Sequence, residues 1–323
     1  MDKINKLVIS EILKNIPRNI NPVNYLSDIL CISNKSVYRR IKGEIPFTIT
    51  EVLKLSDKLN FSIDQILDHG DMHRASFILQ SDNSNSPEES FYRMLSYYHK
   101  LMLASNKATY VESFVTLNHI PVLFTVFFER LFKFSYYQWM HHSHTNSIKY
   151  HFKDAIMPPR ILSLQKEIIA SAVYTGNITY ILDSNMYLST LKEISYYYNC
   201  KLITDKELES IKKDLNKLVD WFETILSTGV IDKERSRMDI YLSSLNLKVS
   251  SAYNACDDTV TSHFFIYTID PIYTINSLHF ARVHKKWFNT IKKYSVLITR
   301  SNEMLRAAFL EKQRMYIENI LNL

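Results

Sequence analysis

The sequence predicts a mainly α-helical protein in two parts: a five-helix bundle over residues 1–70, and a larger α+β region over residues 88–323 holding a small antiparallel sheet. Three observations predict it. Apolar residues in the first 70 positions recur at three- and four-residue spacing, the period of one helix face. Residues 71–87 are polar and turn-rich, ending in Ser-Asp-Asn-Ser-Asn-Ser-Pro, which marks a linker. Beyond it, helical stretches alternate with β-branched and aromatic runs of period two.

Residues 3–16 place Ile4, Leu7, Val8, Ile12 and Leu13 at helical spacing, so a first helix ends before Pro17. Pro22 suits the first turn of a second helix, because a helix start leaves that N–H unpaired anyway, and Asn21 can cap it. Tyr25, Leu26, Ile29 and Leu30 give that helix its apolar face. Cys31 and Ile32 make a short turn. Ser33 then caps a third helix, which Val37 and Ile41 anchor and Gly43 stops. Thr48 and Glu51 form a capping box, each side chain accepting the other's free backbone N–H. Ser62 and Gln65 form another, opening a fifth helix through Ile66 and Leu67.

In the larger region Ser86, Pro87 and Glu89 open a helix. Residues 107–117 have strand character, and residues 121–140 are apolar almost all round, as a buried helix is. Residues 184–199 are helical in pattern. Thr204 and Glu207 box a further helix that runs to about residue 227 and stops near Gly229. Residues 238–253 and 259–269 alternate like strands of an antiparallel sheet, and residues 278–293 and 301–322 return to helical spacing.

Composition excludes several classes. The 323 residues are 46% hydrophobic and 22% charged, with 21 Tyr and 17 Phe, enough for a large aromatic core. A net charge of +6 says little by itself, but Lys35, Arg39, Arg40 and Lys42 crowd one short stretch. Cys31, Cys200 and Cys256 lie far apart, which argues against a disulfide framework or a CxxC zinc site. The four glycines, Gly43, Gly70, Gly176 and Gly229, are too scattered to build a loop whose backbone N–H groups cradle phosphate. The dinucleotide fingerprint, the P-loop and the GxSxG elbow are therefore all missing. With no apolar N-terminal run and no uncharged apolar segment of ~18 residues, neither a signal peptide nor a membrane span is expected. The expectation is a cytoplasmic protein that is not an enzyme and carries no cofactor or metal.

Residues 26–43, Leu-Ser-Asp-Ile-Leu-Cys-Ile-Ser-Asn-Lys-Ser-Val-Tyr-Arg-Arg-Ile-Lys-Gly, carry the strongest functional signal. They resemble the helix-turn-helix domains of the phage-repressor and Cro type. Leu26 and Leu30 match inward residues of the first motif helix, Ser27 the small residue where the two helices cross, and Ile32 the apolar turn residue. Ser33 matches the cap of the recognition helix and Val37 its buried anchor. Residues 46–67 resemble the last two helices of that domain, so the likeness spans about residues 20–67. Cys31 departs from the pattern where the family usually has Gly, which asks this residue for a left-handed backbone or an adjusted turn. Arg40 and Ile41 also depart from it. The resemblance implies a transcriptional regulator that binds double-stranded DNA, with the third helix in the major groove. It offers Asn34, Lys35, Ser36, Tyr38 and Arg39 to base edges, and Lys42 and Thr48 to phosphate. Two other classes compete with it: a bundle converted to protein–protein contacts, and an enzyme with an attached DNA-binding domain.

Other clusters carry weaker signals. His141, His142 and His144, with His151 and Asp154 nearby, tempt a metal reading, yet adjacent histidines do not share a helix face. Tyr97-Tyr98, Tyr136-Tyr137 and Tyr196-Tyr197-Tyr198 could stack bases, but their Leu-rich helical surroundings make them core. Glu207, Glu209, Asp214 and Asp220, among Lys212, Lys213 and Lys217, read as a solvated face. One recognition helix covers few base pairs, so a homodimer on a two-fold operator is expected, with Leu305, Phe309, Tyr316, Ile320 and residues 121–140 as its apolar surface. The larger region is expected to sense a small-molecule or protein effector. A deep pocket with convergent polar groups there would favour a sensor or an enzyme.

Overall fold

Each N-terminal helix whose cap the sequence spells out begins at that cap. The helices are α1 (Lys3–Lys14), α2 (Pro22–Leu30), α3 (Asn34–Ile41) and α4 (Ile49–Leu59). Asn21 Oδ1 accepts the Val23 N–H at 2.9 Å, and Ser33 Oγ accepts the Ser36 N–H at 3.3 Å. At α4 the Thr48 N–H donates to Glu51 Oε2 at 2.8 Å while the Glu51 N–H donates to Thr48 Oγ1 at 3.3 Å. The inward faces close one core around Ile12, Leu26, Val37 and Leu55, with Leu30, Phe47, Val52 and Leu59 at its edge. The computed structural model describes residues 3–17, 19–59, 61, 63, 77–79, 86–142, 149–172, 176–230, 236–265, 272–275 and 278–322. The fifth helix expected from Ser62 to Leu67 lies, apart from Ile63, outside the described residues. By its contacts the chain divides into Met1–Ser76 and Phe77–Leu323.

Among the described residues the second unit is built on an eight-stranded sheet. Its strands are β1 (Phe77–Leu79), β2 (Val111–Leu117), β3 (Gly176–Leu182), β4 (Ser236–Ser243), β5 (Ser250–Cys256), β6 (Thr259–Phe265), β7 (Ile272–Ile275) and β8 (Ser295–Leu297). They lie in the order β1-β7-β6-β5-β2-β3-β4-β8. The pairs β2–β3 and β3–β4 are parallel, and the other pairs are antiparallel. The sheet is therefore large and mixed, which corrects the small antiparallel sheet expected from the sequence. The reason is β3: its last five residues are buried, so it shows a continuous run in place of alternation, as strands covered on both faces do. β1 also falls within the stretch read as linker.

Helices α5 (Pro87–Lys107), α6 (Val122–Thr125), α7 (Glu129–His141), α8 (Pro159–Ser171), α9 (Leu188–Asn199), α10 (Asp205–Thr228), α11 (Leu278–Lys293) and α12 (Glu303–Glu318) flank the sheet. Alternation assigns its two faces. Tyr180, Leu182, Met238 and Ile240 join the main core with residues of α5, α7, α9, α10 and α12. Phe114, Ile181 and Tyr253 face the other way, onto Ala281 and Phe288 of α11.

Two expectations need correction here. Residues 121–140 do not form one helix: Phe128 is extended at φ −129°, and α7 starts afresh after it. No side chain next to this start caps it; instead Asp214 Oδ2 on α10 accepts the Arg130 N–H at 2.8 Å. Asp214, read as solvated, is consequently buried. The residues offered for a dimer interface are also engaged within their own unit. Phe309 and Ile320 are buried in the main core, and Leu305 and Tyr316 pack against it.

Candidate nucleic-acid interface

The turn between α2 and α3 holds the candidate interface in place. Cys31 adopts the left-handed conformation, φ 55° and ψ 42°, that its place in the turn demands. Ser27 Oγ donates to the Ile32 carbonyl at 2.6 Å, which ties α2 to the turn. Val37 is fully buried and seats α3 against the core. Gly43, at φ 72°, ends the helix, with its N–H on the Arg40 carbonyl at 2.9 Å.

With Val37 inward, Asn34, Lys35, Tyr38, Arg39 and Lys42 are exposed along α3 and just past its end. Ser36 is half-buried, and its hydroxyl lies 3.1 Å from that of the capping Ser33. Lys35 has no side-chain partner among the described residues. Three others are held by neighbours. Asn34 Nδ2 donates to Asn24 Oδ1 at 3.1 Å, tying the start of α3 to α2. Arg39 Nε meets Glu44 Oε2 at 3.2 Å, with both side chains half-exposed. The Lys42 ammonium sits 4.6 Å from the centre of the Tyr38 ring. A hydrogen bond with Tyr38 and its charge hold Lys42 above the ordinary lysine value. Thr48 is exposed, and its hydroxyl caps α4.

Arg40 belongs to the scaffold. Its guanidinium meets Glu51 Oε1 at 2.8 Å with both side chains largely covered, which ties α3 to α4. Burial acts to raise the Glu51 carboxyl, but the hydrogen bonds from Arg40 and the Thr48 N–H outweigh it, so its pKa falls below the usual value. Glu51 thus completes the capping box and holds Arg40 of α3 with one carboxylate. Sequence reasoning found that box and missed the ion pair, along with Asn24 and Glu44. Each of the three acts across a turn or between helices, where spacing along one helix gives no signal.

These residues sit inside a stretch that a family model matches. A family model, the BetR domain, matches residues 16–81. The BetR domain is a helix-turn-helix type of DNA-binding domain, and the matched stretch contains α2, the turn, α3 and α4. The match suggests a DNA-binding domain over these residues; the phage-repressor and Cro type remains a resemblance. No curated protein matches the chain.

The larger unit brings together other chemistry-bearing side chains. His284 Nδ1 lies 3.0 Å from Ser262 Oγ and its Nε2 lies 3.1 Å from Ser251 Oγ. Both serines are fully enclosed, so no substrate reaches either hydroxyl, and the group serves as a buried network. Burial pushes the His284 pKa down to about 4, and burial together with His284 does the same to His263. Of the paired tyrosines, Tyr98, Tyr136, Tyr137 and Tyr197 are buried, as core residues are. Tyr137, His141 and Tyr197 form an aromatic cluster, and Tyr197 Oη lies 3.1 Å from His142 Nε2. His144 lies outside the described residues, among which no three His, Cys, Asp or Glu side chains converge as a metal site. No helix among them is long and apolar enough to cross a membrane.

Proposed function

We propose that this chain is a cytoplasmic transcriptional regulator that binds double-stranded DNA sequence-specifically by placing α3 in the major groove. One observation carries the reading: within a domain matched to a DNA-binding family, a fully buried Val37 turns Asn34, Lys35, Tyr38 and Arg39 outward together. A bidentate contact from Arg39 to guanine O6 and N7 suits its fork geometry, and an Asn carboxamide pairs with the N6/N7 edge of adenine. Arg39 exchanges Glu44 for the base, so Glu44 penalises any site that lacks a guanine to replace it. Lys35, Lys42 and the start of α4 at Thr48 take phosphate, which sets position without reading sequence. Ser36 lies close to the cap and serves the edge of the groove.

The protein acts as a homodimer on a two-fold site in this reading, through a surface other than the α12 residues that its own core already uses. It performs no catalysis; the serine–histidine contacts are sealed from solvent. Duplex titration of the full chain and two variants tests the proposal. Arg39→Ala costs about 1–3 kcal/mol on the preferred site and relaxes preference at one base pair, while Lys42→Ala weakens all sequences alike and lowers the salt slope by about one. Unchanged affinity in both variants would falsify the assignment of α3.

A further inference from the structure

A cavity of about 270 Å³ lies in the larger unit, floored by β2, β3, β5 and β6 and roofed by the C-terminal half of α5. Strand register fixes its floor. Ser113 pairs with Ile178 on one side and Asn254 on the other, and Asn254 pairs with Thr261. These four side chains therefore form one row across the sheet, all facing the cavity. The next row is Tyr180, Val115, Ala252 and His263. Leu101, Met102, Leu123, Phe124 and Phe265 supply apolar wall.

The polar groups in this wall differ in how they are satisfied. Thr261 Oγ1 lies 3.0 Å from His263 Nε2. The Ser113 hydroxyl and the Asn254 carboxamide, adjacent in the row, have no side-chain hydrogen bond among the described residues. Asn254 is half-buried beside an apolar wall, so its carboxamide and the adjacent Ser113 hydroxyl are both placed to pair with a bound polar group. Among the described residues no Asp, Glu, Lys or Arg lines the cavity, so a charged ligand would enter without a counter-charge from them. His263 adds none, because its depressed pKa keeps it neutral near pH 7. Cys256 is a poor nucleophile here, its thiol pushed up by burial and then by Asp257.

We propose that this cavity binds an uncharged, mainly apolar small molecule whose one hydrogen-bonding head, an amide or hydroxyl, is held by Asn254 and Ser113. The volume lies just below the ~300–1,000 Å³ usual for ligand sites, so the ligand is compact. The cavity's composition is that of a sensor site: a mainly apolar pocket with a carboxamide and a hydroxyl side by side in its floor.

Calorimetric titration of the full chain with naphthalene, 2-naphthamide and 2-naphthoate near pH 7 tests this. One 2-naphthamide binds per chain, about tenfold tighter than naphthalene and at least about tenfold tighter than 2-naphthoate, the scale of one satisfied polar group. Asn254→Leu lowers 2-naphthamide to the level of naphthalene and leaves naphthalene binding in place. Ser113→Ala narrows the gap less, and Ala252→Trp, which fills the floor, abolishes both. A thermal melt of each variant establishes that it is folded before its titration is read. The proposal is overturned if the wild type binds neither neutral probe saturably, if 2-naphthoate binds as well as 2-naphthamide, or if folded Asn254→Leu keeps the amide preference. No DNA is present, so the result is independent of the DNA-binding reading.

Discussion

In the N-terminal unit the side chain that caps α3 is Ser33, the residue directly before the helix; in the larger unit the side chain that caps α7 is Asp214, 84 positions along the chain from the N–H it accepts. The same physical need, an unpaired N–H at a helix start, is met locally at α3 and across the core at α7, although α5 and α10 of the larger unit are capped beside their starts by Ser86 and Thr204. The helices of the small unit are set by Asn21, Ser33 and the Thr48–Glu51 box, each within three residues of its partner. The sheet of the large unit joins β2, β3 and β4 in parallel, through connections that carry whole helices. A small domain built mostly from local signals stays legible along the chain, whereas a sheet built from distant pairings must be seen folded.

The largest test of this contrast is Val37→Asp. It buries an unpaired carboxylate at the centre of the small core and costs about 3–5 kcal/mol, enough to unfold a unit of this size. Hydrogen exchange shows it: protection is lost over residues 22–59 and retained over β2 and β3. Retained protection in α3 would mean that the helix packs by another face.

Acid acts mainly on the large unit. His263 and His284 are buried with pKa values of about 4, well below the ordinary 6.5. A depressed folded pKa means that the unfolded chain takes up protons first, so the stability is whole above pH 6.5 and is lost as pH falls toward 4. Together the two histidines put about 2–4 kcal/mol of acid sensitivity into this unit. His284→Gln flattens the profile, read as melting temperature against pH; an equally steep profile in the variant would assign the sensitivity elsewhere.

Asp214→Ala removes the distant cap and leaves the Arg130 N–H unpaired, at a cost of about 2–3 kcal/mol. Denaturant unfolding measures it. A loss below about 0.5 kcal/mol would make this buried carboxylate no more than a surface charge.

The smallest effect, of opposite sign, is at Cys31. A non-glycine residue at φ 55° is strained, so Cys31→Gly stabilises the small unit by about 0.5–1 kcal/mol, and Cys31→Val destabilises it. Thermal melting of the two variants checks the order; a lower melting temperature for Cys31→Gly contradicts it.

Legibility followed the same divide. The sequence showed the capped starts of α2, α3 and α4, the buried Leu26 and Val37, and the demand placed on Cys31. It also showed the Thr204–Glu207 box that opens α10 and the stop at Gly229, both of them local signals. It did not show β3, whose even burial erases alternation, nor the short edge strands β1 and β8, three residues each. The break before α7 was hidden because Val126, Phe127 and Phe128 are as apolar as the helices around them, and the capping carboxylate lies on α10. At the interface, outward direction was readable from the helical period, while the hold of Asn24 on Asn34, of Glu44 on Arg39 and of Glu51 on Arg40 was not. The cavity was invisible too, because Ser113, Asn254 and Thr261 meet only through strand register.

Selection of bound sequences from random duplex DNA, by the full chain and by its Arg39→Ala variant in parallel, tests the central claim most directly. The account predicts that the wild type enriches a defined sequence containing a guanine and that the variant loses preference at that one position. Recovery of random sequence by the folded wild type, or the same enriched sequence from both proteins, would contradict it.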